Sequence, residues 1–322
     1  MVAAALLAVP FVLGALAAPA PVDAEVAFTF QDPEILESSG LVIGERFAVT
    51  VNDSGDEARI FTVDLADGET VGVTRWQGEA RDVEALAPAG ANEVWVGDIG
   101  DNLEARSSIR VTRVPFGAGE RTVAGESYEL TFPGGARDAE ALLTQPDTGQ
   151  LFVVSKHVLG GTIYAAPRRL DPTKPNRLRA VAEAPGLVTD AAFYPDGRHA
   201  VLRNYGQGVL FAVDADGWRE LGTFPLPPQQ QGEGIAVGPD RRIYLSSEGA
   251  ESEVLRVDLP AELAAQVSSG APVEFTTDRD AETGTDKRDV LAEYDPPLWP
   301  WALGGGFALV ALVVLIRSLR PR

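Results

Sequence analysis

The sequence predicts an all-β fold assembled from one repeated unit, and three observations carry that prediction. The phrase Arg-Asp-x-Glu-Ala-Leu occurs at 81–86 and again at 137–142. Related phrases open at Ser38, Thr189 and Gln231, and each leads into a run rich in β-branched and aromatic residues. The units recur every ~40–55 residues, the period of a β-propeller blade; a β-sandwich does not explain self-similarity at that spacing. Five blades are expected, or six if the chain ends form one more.

The elements follow in order. Unit one starts at Ser38-Ser39-Gly40, continues through a strand at 47–51 and ends in Asn52-Asp53-Ser54-Gly55-Asp56. Unit two starts at Asp82-Val83-Glu84, continues at 94–97 and ends in Asp98-Ile99-Gly100-Asp101-Asn102. Unit three starts at Asp138-Ala139-Glu140, continues at 151–154 and ends in Ser155-Lys156-His157. Unit four starts at Asp190-Ala191-Ala192, continues at 200–202 and ends in Arg203-Asn204-Tyr205. Unit five starts at Glu233-Gly234-Ile235, continues at 243–245 and ends in Ser246-Ser247-Glu248.

Pro146-Asp147-Thr148-Gly149, Pro195-Asp196-Gly197 and Pro239-Asp240-Arg241 supply tight turns between first and second strands, with Pro presetting φ. Third strands are expected at 58–63, 109–114, 162–165, 208–213 and 253–257. Fourth strands are weakly marked, the run at 128–132 being one. A strand at 25–29 precedes unit one without a partner of its own, so it is expected to complete the last blade and close the ring. One short helix is expected at 261–267.

The ends of the 322-residue chain read differently. Residues 1–24 form an apolar leader with small-residue cleavage patterns at Ala18-Pro19-Ala20 and Val22-Asp23-Ala24. The propeller is expected at 25–267, and residues 268–297, rich in Asp, Thr, Glu and Pro, read as a flexible stalk. Residues 298–316 carry no charge and, at 1.5 Å per residue, reach about 28 Å, enough for a bilayer core. Trp299 and Trp301 flank that run, and Arg317, Arg320 and Arg322 follow it, so the tail at 317–322 is expected to be cytoplasmic and the propeller extracellular.

A net charge of −20 argues against nucleic acid as a partner and favours cations. Cysteine is absent, which removes disulfides and thiolate metal sites, and the two histidines, His157 and His199, form no zinc pattern. No nucleophile elbow, Walker loop or dinucleotide fingerprint occurs.

In a propeller the start of the first strand and the end of the second lie on one face beside the axis. That rule gathers Asp53, Asp56, Asp82, Glu84, Asp98, Asp101, Asp138, Glu140, Asp190, Glu233 and Glu248 around one channel mouth. Strand alternation is expected to point Asp82 and Glu84 the same way, as it does Asp138 and Glu140. Crowded carboxylates repel unless neutralised, and Ca²⁺, which takes six to eight oxygen ligands, is the expected ion. Asn52, Asn102, Lys156, His157, Arg203 and Asn204 are candidate ligand contacts on the same face. Asp64, Asp214 and Asp258, each ending a third strand, read as turn acids.

Glu37-Ser38-Ser39-Gly40-Leu41, Asn52-Asp53-Ser54-Gly55-Asp56, Asp82-x-Glu84 and the loop from Gly97 to Asn102 resemble phrases of secreted bacterial β-propeller proteins. Glu233-Gly234-Ile235-Ala236 with Ser246-Ser247-Glu248 is similar, more distantly, to the phytase-like esterase group and to calcium-dependent β-propeller phytases. The second resemblance implies a Ca²⁺-filled mouth, cationic residues that hold phosphate, and water as nucleophile. Lys156 and Arg203 are the basic candidates for that role. The expected function is a membrane-tethered extracellular binding or scaffold module for a protein or small-molecule ligand, with a Ca²⁺-dependent phosphoesterase as the alternative.

Overall fold

The computed structural model describes residues 21–53 and 55–268. The chain begins with β1 (Ala24–Thr29) and then builds sheets in sequence. Blade 1 holds β2 (Ser38–Ile43), β3 (Phe47–Asn52), β4 (Arg59–Asp64) and β5 (Thr70–Trp76). Blade 2 holds β6 (Val83–Gly90), β7 (Glu93–Asp98), β8 (Ile109–Pro115) and β10 (Glu126–Thr131). Blade 3 holds β11 (Ala139–Thr144), β12 (Leu151–Ser155), β13 (Gly161–Ala165) and β15 (Arg179–Ala184). Blade 4 holds β16 (Asp190–Phe193), β17 (His199–Arg203), β18 (Gln207–Asp214) and β19 (Gly217–Pro225). Blade 5 holds β20 (Gly232–Val237), β21 (Ile243–Ser247) and β22 (Glu253–Val257), and β1 completes it by pairing antiparallel with β22. First and last blades are thus sewn together, and the fold is a five-bladed propeller.

Two short strands lack any counterpart in the repeat. β9 (Arg121–Val123) adds parallel to β5, and β14 (Asn176–Arg177) adds parallel to β10. Each comes from the blade that follows, so it straps the outer edge of its neighbour and covers an otherwise open strand.

The innermost strands β2, β6, β11, β16 and β20 touch one another in a closed ring. Every blade junction has its own apolar cluster. Val49, Val51 and Ile60 meet Val83, Leu86 and Val96 between blades 1 and 2. On the other side of blade 1, Ala48, Phe61 and Val63 meet Ala236, Tyr244 and Val254 of blade 5. Alternate residues of β3 therefore feed opposite junctions, and the strand is mostly apolar because both faces are buried.

Turn chemistry fixes the register. Gly149 and Gly197 take φ of 67° and 65°, and Asp196 Oδ1 accepts the Arg198 and His199 amides at 2.9 and 3.0 Å. The helix α1 (Ala261–Ser268) buries Leu263 and Val267 against blades 4 and 5, where Gly222 leaves room for Leu263. Val22 already belongs to the fold, since its amide donates to the Pro225 carbonyl at 3.1 Å. Residues 1–20, most of the expected stalk, the expected membrane span 298–316 and the tail 317–322 lie outside the described residues. No helix among the described residues is long and apolar enough to cross a membrane.

The two mouths of the ring differ in chemistry. Beyond the chain reversal, Leu41, Leu86, Leu142, Ala191 and Ala236 line an apolar axial cavity of about 460 Å³. The opposite mouth is acidic.

Candidate metal centre on the axial face

The inner strands carry a recurrent irregularity where they begin. Register shifts occur between Ser38 and Gly40, Val83 and Ala85, Ala139 and Ala141, and Gly232 and Ile235. Each is a bulge against the second strand of its blade, and the residues it frees include Ser39, Glu84, Glu140 and Glu233. A bulge interrupts strict alternation and re-aims the side chain. The bulge breaks the simple two-residue period between Val83 and Ala85, yet the Asp82 and Glu84 carboxylates still come together on one side. In blade 4 the ladder from Asp190 to Arg203 runs without a shift, and no glutamate is freed there.

Ligand-forming oxygens converge at the junction of blades 1 and 2. Carboxylate oxygens of Asp53, Asp82 and Glu84 all lie within 4.8 Å of one another. Asp53 follows β3, and its amide donates to the Glu37 carbonyl at 3.0 Å. Asp82 donates its amide to Asp98 Oδ1 at 3.1 Å and accepts the Gly100 amide at its carbonyl, also at 3.1 Å. Ser39 donates to the Glu84 carbonyl at 2.8 Å and to Glu84 Oε2 at 3.2 Å, holding the buried side chain from the neighbouring blade.

This crowding is written into the protonation of the site. Burial first, then the charges of Glu140, Asp53 and Asp82, push the Glu84 carboxyl up to about 10. Asp82 is raised by burial and by Asp53 and Asp138, with Arg106 opposing. Glu140 rises to about 7 because its burial outweighs the Lys156 ammonium bound to Oε1 at 2.9 Å. Burial also raises Glu233, and it lifts Glu248 to about 7 with help from the charges of Glu233 and Asp53. The carboxylates of four blades thus sense one another across the mouth.

Gly100 shows how closely the loop after β7 presses on this group. A Cβ there would stand 2.5 Å from Asp82 Oδ2 and 2.7 Å from Glu84 Oε1. Gly100→Ala is expected to push both carboxylates aside and to reduce any divalent-cation stabilisation, with only ~1 kcal/mol lost from the metal-free fold. Thermal unfolding with and without Ca²⁺ checks this, and an unchanged Ca²⁺ response would contradict it.

Other predicted residues reach the same face but already hold the backbone in place. Asp98 pairs with buried Arg106 at 2.8 Å, and Asp101 accepts the Ala105 and Arg106 amides at 3.0 and 2.7 Å. Asp138 Oδ1 accepts the Asp101 amide at 2.8 Å, tying blade 3 to blade 2. Asp56 pairs with Arg59 at 2.7 Å, and Asn52 caps the Leu36 and Glu37 amides at 3.1 and 3.2 Å. Asn204 closes its own turn through the Gly206 and Gln207 amides. Glu248 accepts from Gln231 at 2.6 Å. Asn102 and His157 are exposed on their loops.

Asp190 and Arg203 are fully buried. Asp190 accepts the Ala191 and Ile235 amides, each at 2.8 Å, and Arg203 Nη1 donates to Gln229 Oε1 at 3.1 Å and the Gly234 carbonyl at 3.0 Å. Both bind blade 4 to blade 5 and present nothing to solvent. Asp64 and Asp214 take their expected places as turn acids, accepting the Ala66 and Asp216 amides. Sequence reading missed Arg106 and Tyr205. Arg106 lies in a loop with no periodicity, whereas Tyr205 had a signal, its place directly after Arg203-Asn204 at the end of a second strand.

No protein-family model matches this sequence, and no curated protein sequence does either. Solved structures similar in fold include a glutaminyl cyclase from Myxococcus xanthus, with 14% identity over 74% of this chain and 100% of that one, at a TM-score of 0.46. The soluble aldose sugar dehydrogenase from Escherichia coli shares 12% identity over 74% of this chain and 99% of that chain, at 0.44. A putative 6-phosphogluconolactonase from Bacteroides uniformis shares 17% identity over 74% and 79%, at 0.42. Likeness at this level concerns β-propeller architecture and carries no chemistry across.

Proposed function

We propose that the protein is a membrane-tethered extracellular binding module whose acidic axial mouth takes a hard divalent cation, Ca²⁺. The observation that carries this reading is the triad Asp53, Asp82 and Glu84, drawn from adjacent blades to within 4.8 Å. A carboxyl pushed up to about 10 by burial and by neighbouring carboxylates has two ways to relieve the repulsion: keep a proton, or exchange it for a cation. Asp138 and the Gly100 loop extend the oxygen-rich rim. Tethering rests on the apolar run at 298–316 and the arginines that follow it.

Thermal unfolding of the full chain tests the cation. At a hundredfold excess over Kd, Ca²⁺ is expected to add about 2.7 kcal/mol, or a rise in Tm of about 5–10 °C for a domain of this size. No shift with Ca²⁺ and none on chelation would remove the metal from the account.

A second reading is a Ca²⁺-dependent phosphoesterase in which the metal activates water. Lys156 favours it, as an ammonium bound to Glu140 at the acidic mouth, with its pKa held up by that carboxylate. Hydrolysis of phytate or p-nitrophenyl phosphate, present with Ca²⁺ and lost with chelator and in Lys156→Met, is the expected signature. No turnover with any divalent ion rejects catalysis and leaves the binding module.

A further inference from the structure

Large apolar side chains stand exposed mainly on one face. Leu36, Leu103, Val158, Leu159, Leu187 and Tyr205 all lie on connections at the acidic mouth, and among the described residues only Val26 on β1 is exposed elsewhere. Leu103 is 88% and Leu159 74% exposed. Single exposed leucines are ordinary, but gathering them on one face is the mark of an interaction surface.

Hydrogen bonds make the blade 3 and blade 4 part of this rim one surface. The Leu187 amide donates to the His157 carbonyl at 3.0 Å, and Asn204 Nδ2 donates to the Gly186 carbonyl at 3.2 Å. Lys156 Nζ lies 5.9 Å from the Tyr205 ring centroid and bonds Glu140 at 2.9 Å, so the apolar patch runs directly into the carboxylates. The Tyr205 hydroxyl also opposes the burial that raises the Glu233 carboxyl. Anionic lipid is repelled by such a mouth, whereas cationic side chains are drawn to it.

We propose that this rim docks a basic, apolar segment of a protein partner. Its apolar side chains rest on Val158, Leu159, Leu187 and Tyr205, and its lysine or arginine points to the acidic mouth beside them. This rests on the axial face being the binding face, but not on the cation, which the Asp53, Asp82 and Glu84 group holds to one side.

The test uses fluorescence anisotropy on the full chain, with a labelled peptide of about twelve residues alternating leucine and lysine and an equally charged serine–lysine control. The leucine peptide is expected to bind at least about tenfold tighter than the control, and 500 mM NaCl to weaken both. Val158→Asp with Leu159→Asp should abolish the difference while leaving the Ca²⁺ rise in Tm intact. Leu187→Asn, on the adjoining connection, should weaken the leucine peptide alone and serves if the double variant folds poorly. Equal binding of the two peptides, an unaffected variant, or binding to phosphatidylglycerol vesicles in place of peptide would overturn the proposal. Loss of the Ca²⁺ response with peptide discrimination intact would reject the cation alone.

Discussion

Arg203→Met lowers the stability of the propeller by about 3–5 kcal/mol, because it removes the buried cation that faces two buried acids. Arg203 is fully buried, and burial pushes its guanidinium down to about 10 while the charges of Glu233 and Asp190 oppose that fall. It therefore stays charged at neutral pH. Its Nη1 reaches Gln229 and the Gly234 carbonyl of blade 5, so the substitution also opens a junction between blades. Opening that junction would expose the apolar faces of both blades, where Val201 and Leu210 meet Ile235 and Leu245. Equilibrium denaturation measures the loss. A change below ~1 kcal/mol would mean that Asp190 and Glu233 carry protons and need no counter-charge.

Metal-free protein is expected to be more stable at pH 5 than at pH 8. The sign follows from the direction of the shifts. Burial first, and then the neighbouring carboxylates, hold the Glu84, Glu140 and Glu248 carboxyls above the ordinary 4.5 of a glutamate in the folded chain. Above pH 4.5 the unfolded chain releases these protons while the folded chain retains them, so stability falls as pH rises toward the folded values. Most proteins with salt-bridged carboxylates show the opposite slope below neutrality. Saturating Ca²⁺ should flatten the decline between pH 6 and 8, because the ion replaces the protons. Denaturation of protein stripped of divalent ions, at pH 5, 6, 7 and 8 with and without Ca²⁺, reads this out. A metal-free profile that rises through this window would show that the carboxylates do not crowd as described.

The propeller was legible because its signals are local and repeated. Second strands such as 151–154, the Pro-Asp turns and all five third strands stand where residue type placed them, within a residue or two. The closing role of β1 followed from its lack of a partner in sequence. Fourth strands were harder to see: 179–184 and 217–225 are half-exposed and mix small, apolar and charged residues, so neither face imposes a pattern. The straps β9 and β14 are two or three residues long and pair in parallel with distant strands, which no periodicity announces.

The candidate site was legible in part. Recurrence placed the acids on one face, but not which of them converge at the junction of blades 1 and 2. Asp98, Asp101 and Asp190 are as acidic in sequence as Asp53 and Asp82, yet their oxygens satisfy backbone amides or an arginine. The bulges that single out Glu84, Glu140 and Glu233 arise from pairing across a sheet, a long-range property that a glutamate flanked by alanine or glycine only hints at. Arg106 acts through a loop whose course depends on the carboxylates it binds.

Anomalous diffraction from crystals soaked with Tb³⁺ as a Ca²⁺ surrogate tests the central claim most directly. The account predicts an ordered peak between Asp53, Asp82 and Glu84, within coordination distance of all three and displaced by excess Ca²⁺. It also predicts loss of that peak in Asp82→Asn but not in Asp64→Asn. Peaks confined to outer-edge acids such as Asp64 and Asp258, or no ordered peak at the axial mouth, would contradict it.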